Sequence, residues 1–137
     1  MNREGTVGIL RVVRRRVAAI TIAILVVLLH ATPAFADNVD TLIGQLDDDS
    51  DKVRLSATLN LAKLGDQRAI LPLITRLVGS GNRSADSDKN VRGAAAVGLG
   101  KLVTDKVKGS LRGLAIKALQ NAEANDSSEF VKAQAGK

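Results

Sequence analysis

The side chains in this sequence that could do chemistry are carboxylates in short runs, with arginines set just behind them. Asp47-Asp48-Asp49-Ser50-Asp51 and Asp86-Ser87-Asp88-Lys89-Asn90 both open like the D-x-D-x-[DN] start of a calcium loop. Such a loop also needs a glycine at its sixth position for the sharp turn and a bidentate glutamate at its twelfth. Lys52 and Val91 stand at the sixth position, and Thr58 and Val97 at the twelfth. The runs read more simply as helix N-caps, whose carboxylates accept from the free amides of a first turn and complement the positive helix end. No bound metal is expected. Arg54 and Arg92 occupy the same place behind the two runs. They could bind an anion, or form a ladder of hydrogen bonds to neighbouring aspartates. The recurrence favours the ladder.

Covalent and acid–base chemistry has little to work with. The sequence has no cysteine, and its single histidine, His30, falls in an N-terminal segment to be set aside. No serine, threonine or lysine beyond that segment has a recognisable base partner. The reading is therefore of a non-enzyme without cofactors.

Residues 1–36 have the order of a secretory signal peptide. Arg3, Arg11, Arg14, Arg15 and Arg16 form a basic region, Val17–Leu29 an apolar run, and Ala34-Phe35-Ala36 a small-x-small site before Asp37. The apolar run falls short of the roughly 20 residues that a spanning helix needs. Cleavage after Ala36 and a periplasmic or secreted location follow, with no stable membrane span afterwards. An uncleaved anchor extended through Phe35 is the alternative. The chain carries +6 overall, but five arginines and one glutamate lie in the leader, leaving +2 for Asp37–Lys137. That weakens any inference of nucleic-acid binding. The remaining 101 residues suit one domain, held without disulfides by a core of Leu, Ile, Val and Ala.

The positioning elements emerge as a repeat. At a shift of 38, Val53-Arg54, Ala57, Leu61 and Lys63-Leu64 fall on Val91-Arg92, Ala95, Leu99 and Lys101-Leu102. A further shift of 40 brings Val131-Lys132 and Ala135 into line. Val53, Ala57, Leu61 and Leu64 share one helical face, with Leu55 and Leu59 on another, as in a layer packed on two sides. Gly65 ends that helix. Second helices follow, with Ile70, Leu73, Ile74 and Leu77 in one and Val107, Leu111, Leu114 and Ala118 in the next. Val39, Leu42, Ile43 and Leu46 repeat the first of these patterns at a shift of 31. Helices are predicted near 38–46, 50–64, 68–78, 88–103, 106–123 and 128–137. The Gly/Ser/Asn-rich stretch 79–86 is predicted to be a mobile loop.

Asp51-Lys52-Val53-Arg54, then Ala57, Leu61, Leu64-Gly65-Asp66, Ala69-Ile70 and Leu73-Ile74 resemble the HEAT-repeat family. The likeness is to the short type first noted in phycobilin lyases, and it covers about Val39–Ala135. It implies an all-α solenoid of antiparallel helix pairs, about two full repeats with flanking half repeats, over residues 37–137. It also implies a protein–protein interaction or scaffold module, with binding on the second helices, which line the concave face in that family. A lyase-like enzyme subunit by fold analogy, or a polyanion binder, is the alternative. The His-Glu iron sites of HEAT-like hydroxylases have no counterpart here.

On those second helices Arg76, Lys108, Arg112 and Lys117 could form a basic strip for an acidic protein segment or polyanion. Val39, Leu42 and Leu46 at one end, and Phe130 and Val131 at the other, could leave apolar surface for end-to-end self-association. Gly93, Gly98 and Gly100 lie in one predicted helix, which is either thin for close packing or locally weak.

Overall fold

The computed structural model describes residues 34–107 and 109–137, and all of the longer elements among them are helices. They are α1 (Ala34–Gln45), α2 (Asp51–Leu64), α3 (Ile70–Val78), α4 (Lys89–Leu102), α5 (Ser110–Asn125) and α6 (Glu129–Ala135). A single 3-10 turn, Gln67–Ala69, leads into α3. The segment expected to be a signal peptide lies outside the described residues up to Pro33. From Ala34 the backbone is already helical, so α1 begins earlier than predicted and runs through the expected cleavage junction.

Local chemistry sets the helix ends. Asp88 accepts from the amides of Asn90 (2.8 Å) and Val91 (3.0 Å), capping α4. Gly65, at φ 73°, closes α2 in the left-handed conformation. Asp66 then accepts from the Arg68 amide at 2.8 Å and starts the 3-10 turn. Pro72 is the third residue of α3, where a missing N–H leaves no helical bond unmade.

The first helices α2, α4 and α6 pack side by side, and the second helices α3 and α5 pack against one another and against α4 and α6. Both layers bury one apolar cluster that includes Leu61, Leu73, Leu77, Leu99 and Val131. The periodic positions Ala57, Leu61, Val91, Ala95 and Leu99 are all buried, and Val53 is half-buried.

Several sequence expectations need correction. Val39, Leu42, Leu46 and Val131 are buried, so only Phe130 of the proposed terminal patches is exposed. Leu64 and Leu114, assigned to apolar faces, are open to solvent. In α5 the buried stripe is Ala115, Ala118 and Ala122, which obeys helical spacing as well as the leucine pattern does. Alanine lets α5 lie closer to its neighbours and turns Leu114 out. The stretch 79–86 is also more structured than predicted. Ser80 and Arg83 exchange two backbone hydrogen bonds of 2.9 and 3.0 Å around a tight turn. Gly79 (φ 79°) and Gly81 (φ 57°) supply the positive φ that it needs.

Helix α4 is thin by necessity. A Cβ on Gly98 would stand 3.0 Å from the Ala62 Cβ and 3.2 Å from Leu73 Cδ1. The Ala62 methyl is fixed to the α2 backbone and cannot swing aside. A Cβ on Gly100 would meet nothing within 4 Å. Gly100→Ala should therefore stabilise the protein by roughly 0.5–1 kcal/mol through helix propensity. Gly98→Ala, by overpacking α2 against α4, should lose more than that gain and destabilise by about 1 kcal/mol net. Urea unfolding of the two variants should show midpoints displaced in opposite directions.

Candidate binding surface

The turns ahead of α2, α4 and α6 place aspartates at matching positions: Asp48, Asp86 and Asp126. Each bends its own turn, accepting from the amide two residues on, at 2.8 Å for Ser50, 3.0 Å for Asp88 and 2.8 Å for Ser128. The arginine in the first turn of α2, and its counterpart in α4, reaches forward to the aspartate of the following turn. Arg54 donates to Asp86 through Nε (2.8 Å) and Nη2 (3.0 Å). Arg92 donates to Asp126 in the same two-pronged way, at 2.8 and 2.9 Å. The remaining nitrogen of each closes its own turn. Arg54 Nη1 donates to the carbonyls of Asp48 (2.9 Å) and Asp49 (3.0 Å), and Arg92 Nη1 to those of Asp86 (2.8 Å) and Ser87 (3.2 Å). The third position in the series is Lys132, which stays within its own helix and pairs with Glu129 at 2.9 Å.

Ionisation is locked accordingly. The Arg92 hydrogen bonds hold the Asp126 carboxyl below the ordinary carboxylate range, against a smaller upward push from burial. For Asp86, burial pushes upward most strongly. The Arg54 hydrogen bonds, the Asp88 amide and the charges of Arg54 and Arg76 together outweigh it, so this group too is lowered. The hydrogen bonds to Asp86 and Asp126 raise Arg54 and Arg92 in turn.

Of the strip candidates, Arg76 is largely buried and committed. It donates to Asp47 at 2.6 Å and lies 3.7 Å from Asp86. Arg83 joins Asp47 at 3.2 Å, tying the 79–86 turn to the preceding repeat. Sequence reasoning missed that tie, for an arginine in a Gly/Ser-rich turn carries no periodic signal. Arg112 pairs with the fully exposed Asp105 at 3.0 Å. Lys117 is exposed on α5. Lys108 lies outside the described residues. Of the three described positions, Arg76 and Arg112 thus have carboxylate partners and Lys117 enters no ion pair among the described residues.

The second helices present something else. Leu71, Pro72 and Thr75 lie opposite the buried Ile70, Leu73 and Leu77 of α3. Ile116, Lys117 and Gln120 lie opposite the buried alanines of α5. Leu71 and Ile116 are exposed. Beside Leu71 a cavity of about 230 Å³ opens between α1 and α3, lined by Ile43, Leu46, Leu71, Pro72, Thr75 and the Asp47–Arg76–Arg83 cluster. A shift of 45 aligns Ile70, Leu73 and Leu77 with Ala115, Ala118 and Ala122, and Leu71 with Ile116. That alignment was the available signal for the outward apolar positions.

A family model described as HEAT repeats matches residues 39–137. The chain belongs to the HEAT-repeat family. No curated protein matches it. Among the described residues of this HEAT array, no group of three or more His, Cys, Asp or Glu is placed to hold a metal ion. Asp88 caps α4 as expected, whereas the 47–51 run gives α2 no side-chain N-cap bond and Asp48 closes the turn before it; Asp86 is a ladder acceptor. Outward apolar residues lie on both layers, at Leu59, Leu64 and Phe130 of the first helices and at Leu71, Leu114 and Ile116 of the second.

The three turn aspartates provide an internal comparison. Asp126→Ala leaves Arg92 without its buried partner and should cost about 3 kcal/mol. Asp48→Ala removes a turn-closing carboxylate that receives no arginine, leaves the Asp48 carbonyl bond to Arg54 in place, and should cost only about 1 kcal/mol. Thermal unfolding ranks the two. Because the folded pKa values of Asp86 and Asp126 are lowered, their stabilisation is complete above the unfolded carboxylate value, near 3.9. It disappears as pH falls through the folded values. The midpoint should hold steady from neutral pH down to about 5 and drop below about 4, with a shallower drop in Asp126→Asn.

Proposed function

We propose that this HEAT-repeat protein is an exported, non-enzymatic interaction module that holds a protein partner on the outward face of α3 and α5. The carrying observation is the exposed pair Leu71 and Ile116, set at equivalent places on successive second helices, with Leu71 also lining the α1–α3 cavity. Two apolar anchors at repeat spacing, flanked by Thr75, Gln120 and Lys117, suit an amphipathic segment laid across the helices. HEAT repeats generally serve as protein-interaction scaffolds, which agrees with this use.

Lys117 and Arg112, two of the four basic positions read from the sequence, contribute a positive border to that face. Export rests on the charge, apolar run and small-x-small order of residues 1–36. No helix among the described residues is long and apolar enough to cross a membrane.

A photo-crosslinking amino acid at position 71 and, separately, at 116 should capture one and the same protein in the native envelope. The same probe at Leu59, exposed on α2, should not. Capture from all three positions alike, or from none, would remove this face as the binding site. N-terminal sequencing of the purified protein should begin at Asp37, and a start at Met1 would replace export by anchoring.

A further inference from the structure

The two edges of the helix stack use their charges differently. Along the edge of the inter-repeat turns, Asp47, Asp86 and Asp126 are each met by at least one guanidinium. Along the opposite edge, α2 and α4 end and α3 and α5 begin. There Arg68 pairs with Asp66 and Asp40, and Arg112 with Asp105. Lys63, Lys101 and Lys106 on that edge are exposed and enter no ion pair among the described residues; Lys52 and Lys89 on the inter-repeat edge are exposed and unpaired too, but each directly follows a run of aspartates. Leucines stand among them. Leu64 ends α2 and is 45% exposed, Leu71 is in the first turn of α3 at 53%, and Leu114 is in the second turn of α5 at 49%.

We propose that this edge lies against an anionic lipid surface. Unpaired lysines are flexible, strongly hydrated point charges suited to a diffuse layer of headgroup phosphates, where planar recognition by arginine is not needed. The leucines between them supply shallow apolar insertion. Leu71 belongs to the partner face as well, but Lys63, Lys101 and Lys106 do not, so the lysine variant tests the lipid surface by itself.

The test uses the full chain with vesicles of phosphatidylcholine, with and without phosphatidylglycerol. The variant K63Q/K101Q/K106Q, its helicity checked by circular dichroism, should bind the mixed vesicles about a hundredfold more weakly at low salt, at roughly one kcal/mol per lysine. Binding to phosphatidylcholine alone should not change. K52Q/K89Q, on the opposite edge, should bind both kinds of vesicle like the wild type. Salt should weaken the wild type on mixed vesicles and have little effect on the triple variant. Mixed-vesicle binding by the triple variant equal to wild type would overturn the proposal, because the arginines of residues 1–16 would then account for any anionic preference. The proposal also fails if the triple variant keeps its vesicle binding and loses an acidic protein instead.

Discussion

The two-pronged bond between an arginine and the aspartate of the next turn is the constraint on which the rest of this stack depends. Isolated, a guanidinium this little exposed would be costly. Here Arg92 has its Nε, Nη1 and Nη2 all engaged, and Asp126 spends its remaining capacity on the Ser128 amide. Among the described side chains no buried polar atom lacks a partner. Geometry more than charge makes the pair useful. A fork of fixed shape meeting a carboxylate fixes both the distance and the rotation of one first helix relative to the next. Its third nitrogen closes the turn from which its own helix starts. Turn, helix start and inter-repeat spacing are thereby set together.

That spacing is compatible only with slim helices between the ladder rungs. α4 meets α2 through Gly98 against Ala62, and the core beyond is aliphatic, with Leu99, Leu73 and Leu61 fully buried. Gly93 serves the same end at the other face, where a Cβ would collide with the Phe130 ring. Glycine in a helix costs roughly 1 kcal/mol relative to alanine. At Gly98 the approach of a neighbouring helix accounts for that cost. At Gly100 nothing in the structure does.

What was legible in the sequence was whatever repeats. The 38-residue shift placed Val91, Ala95 and Leu99 beside Ala57 and Leu61, and the helix ends followed from Gly65, Asp66 and Asp88. Periodicity failed where alanine replaced leucine, since Ala115, Ala118 and Ala122 are as well spaced as Leu111, Leu114 and Ala118. Apolar size drew the face toward Leu114, while close packing chose the smaller side chains. The commitment of Arg76 was hidden for a different reason. A sequence shows that Arg76 is basic, but not that Asp47, 29 residues away, already holds it. Partners distant along the chain leave no local pattern.

The two basic residue types divide the surface between them. Arginines supply nearly every ion pair among the described residues: Arg54, Arg68, Arg76, Arg83, Arg92 and Arg112 each hold a carboxylate. Lysine enters such a pair only at Lys132, within one helix. This is the assignment that side-chain physics favours. A planar fork loses little freedom per bond and tolerates partial burial, whereas an ammonium on four methylenes keeps its hydration and its mobility. The inter-repeat edge, where geometry must be exact, is built with arginine and is close to balanced in charge. The intra-repeat edge builds nothing with Lys63, Lys101 and Lys106, so their charge is left for whatever approaches from outside. Most carboxylates of the described residues stand on the inter-repeat edge, so the positive excess falls on the intra-repeat one.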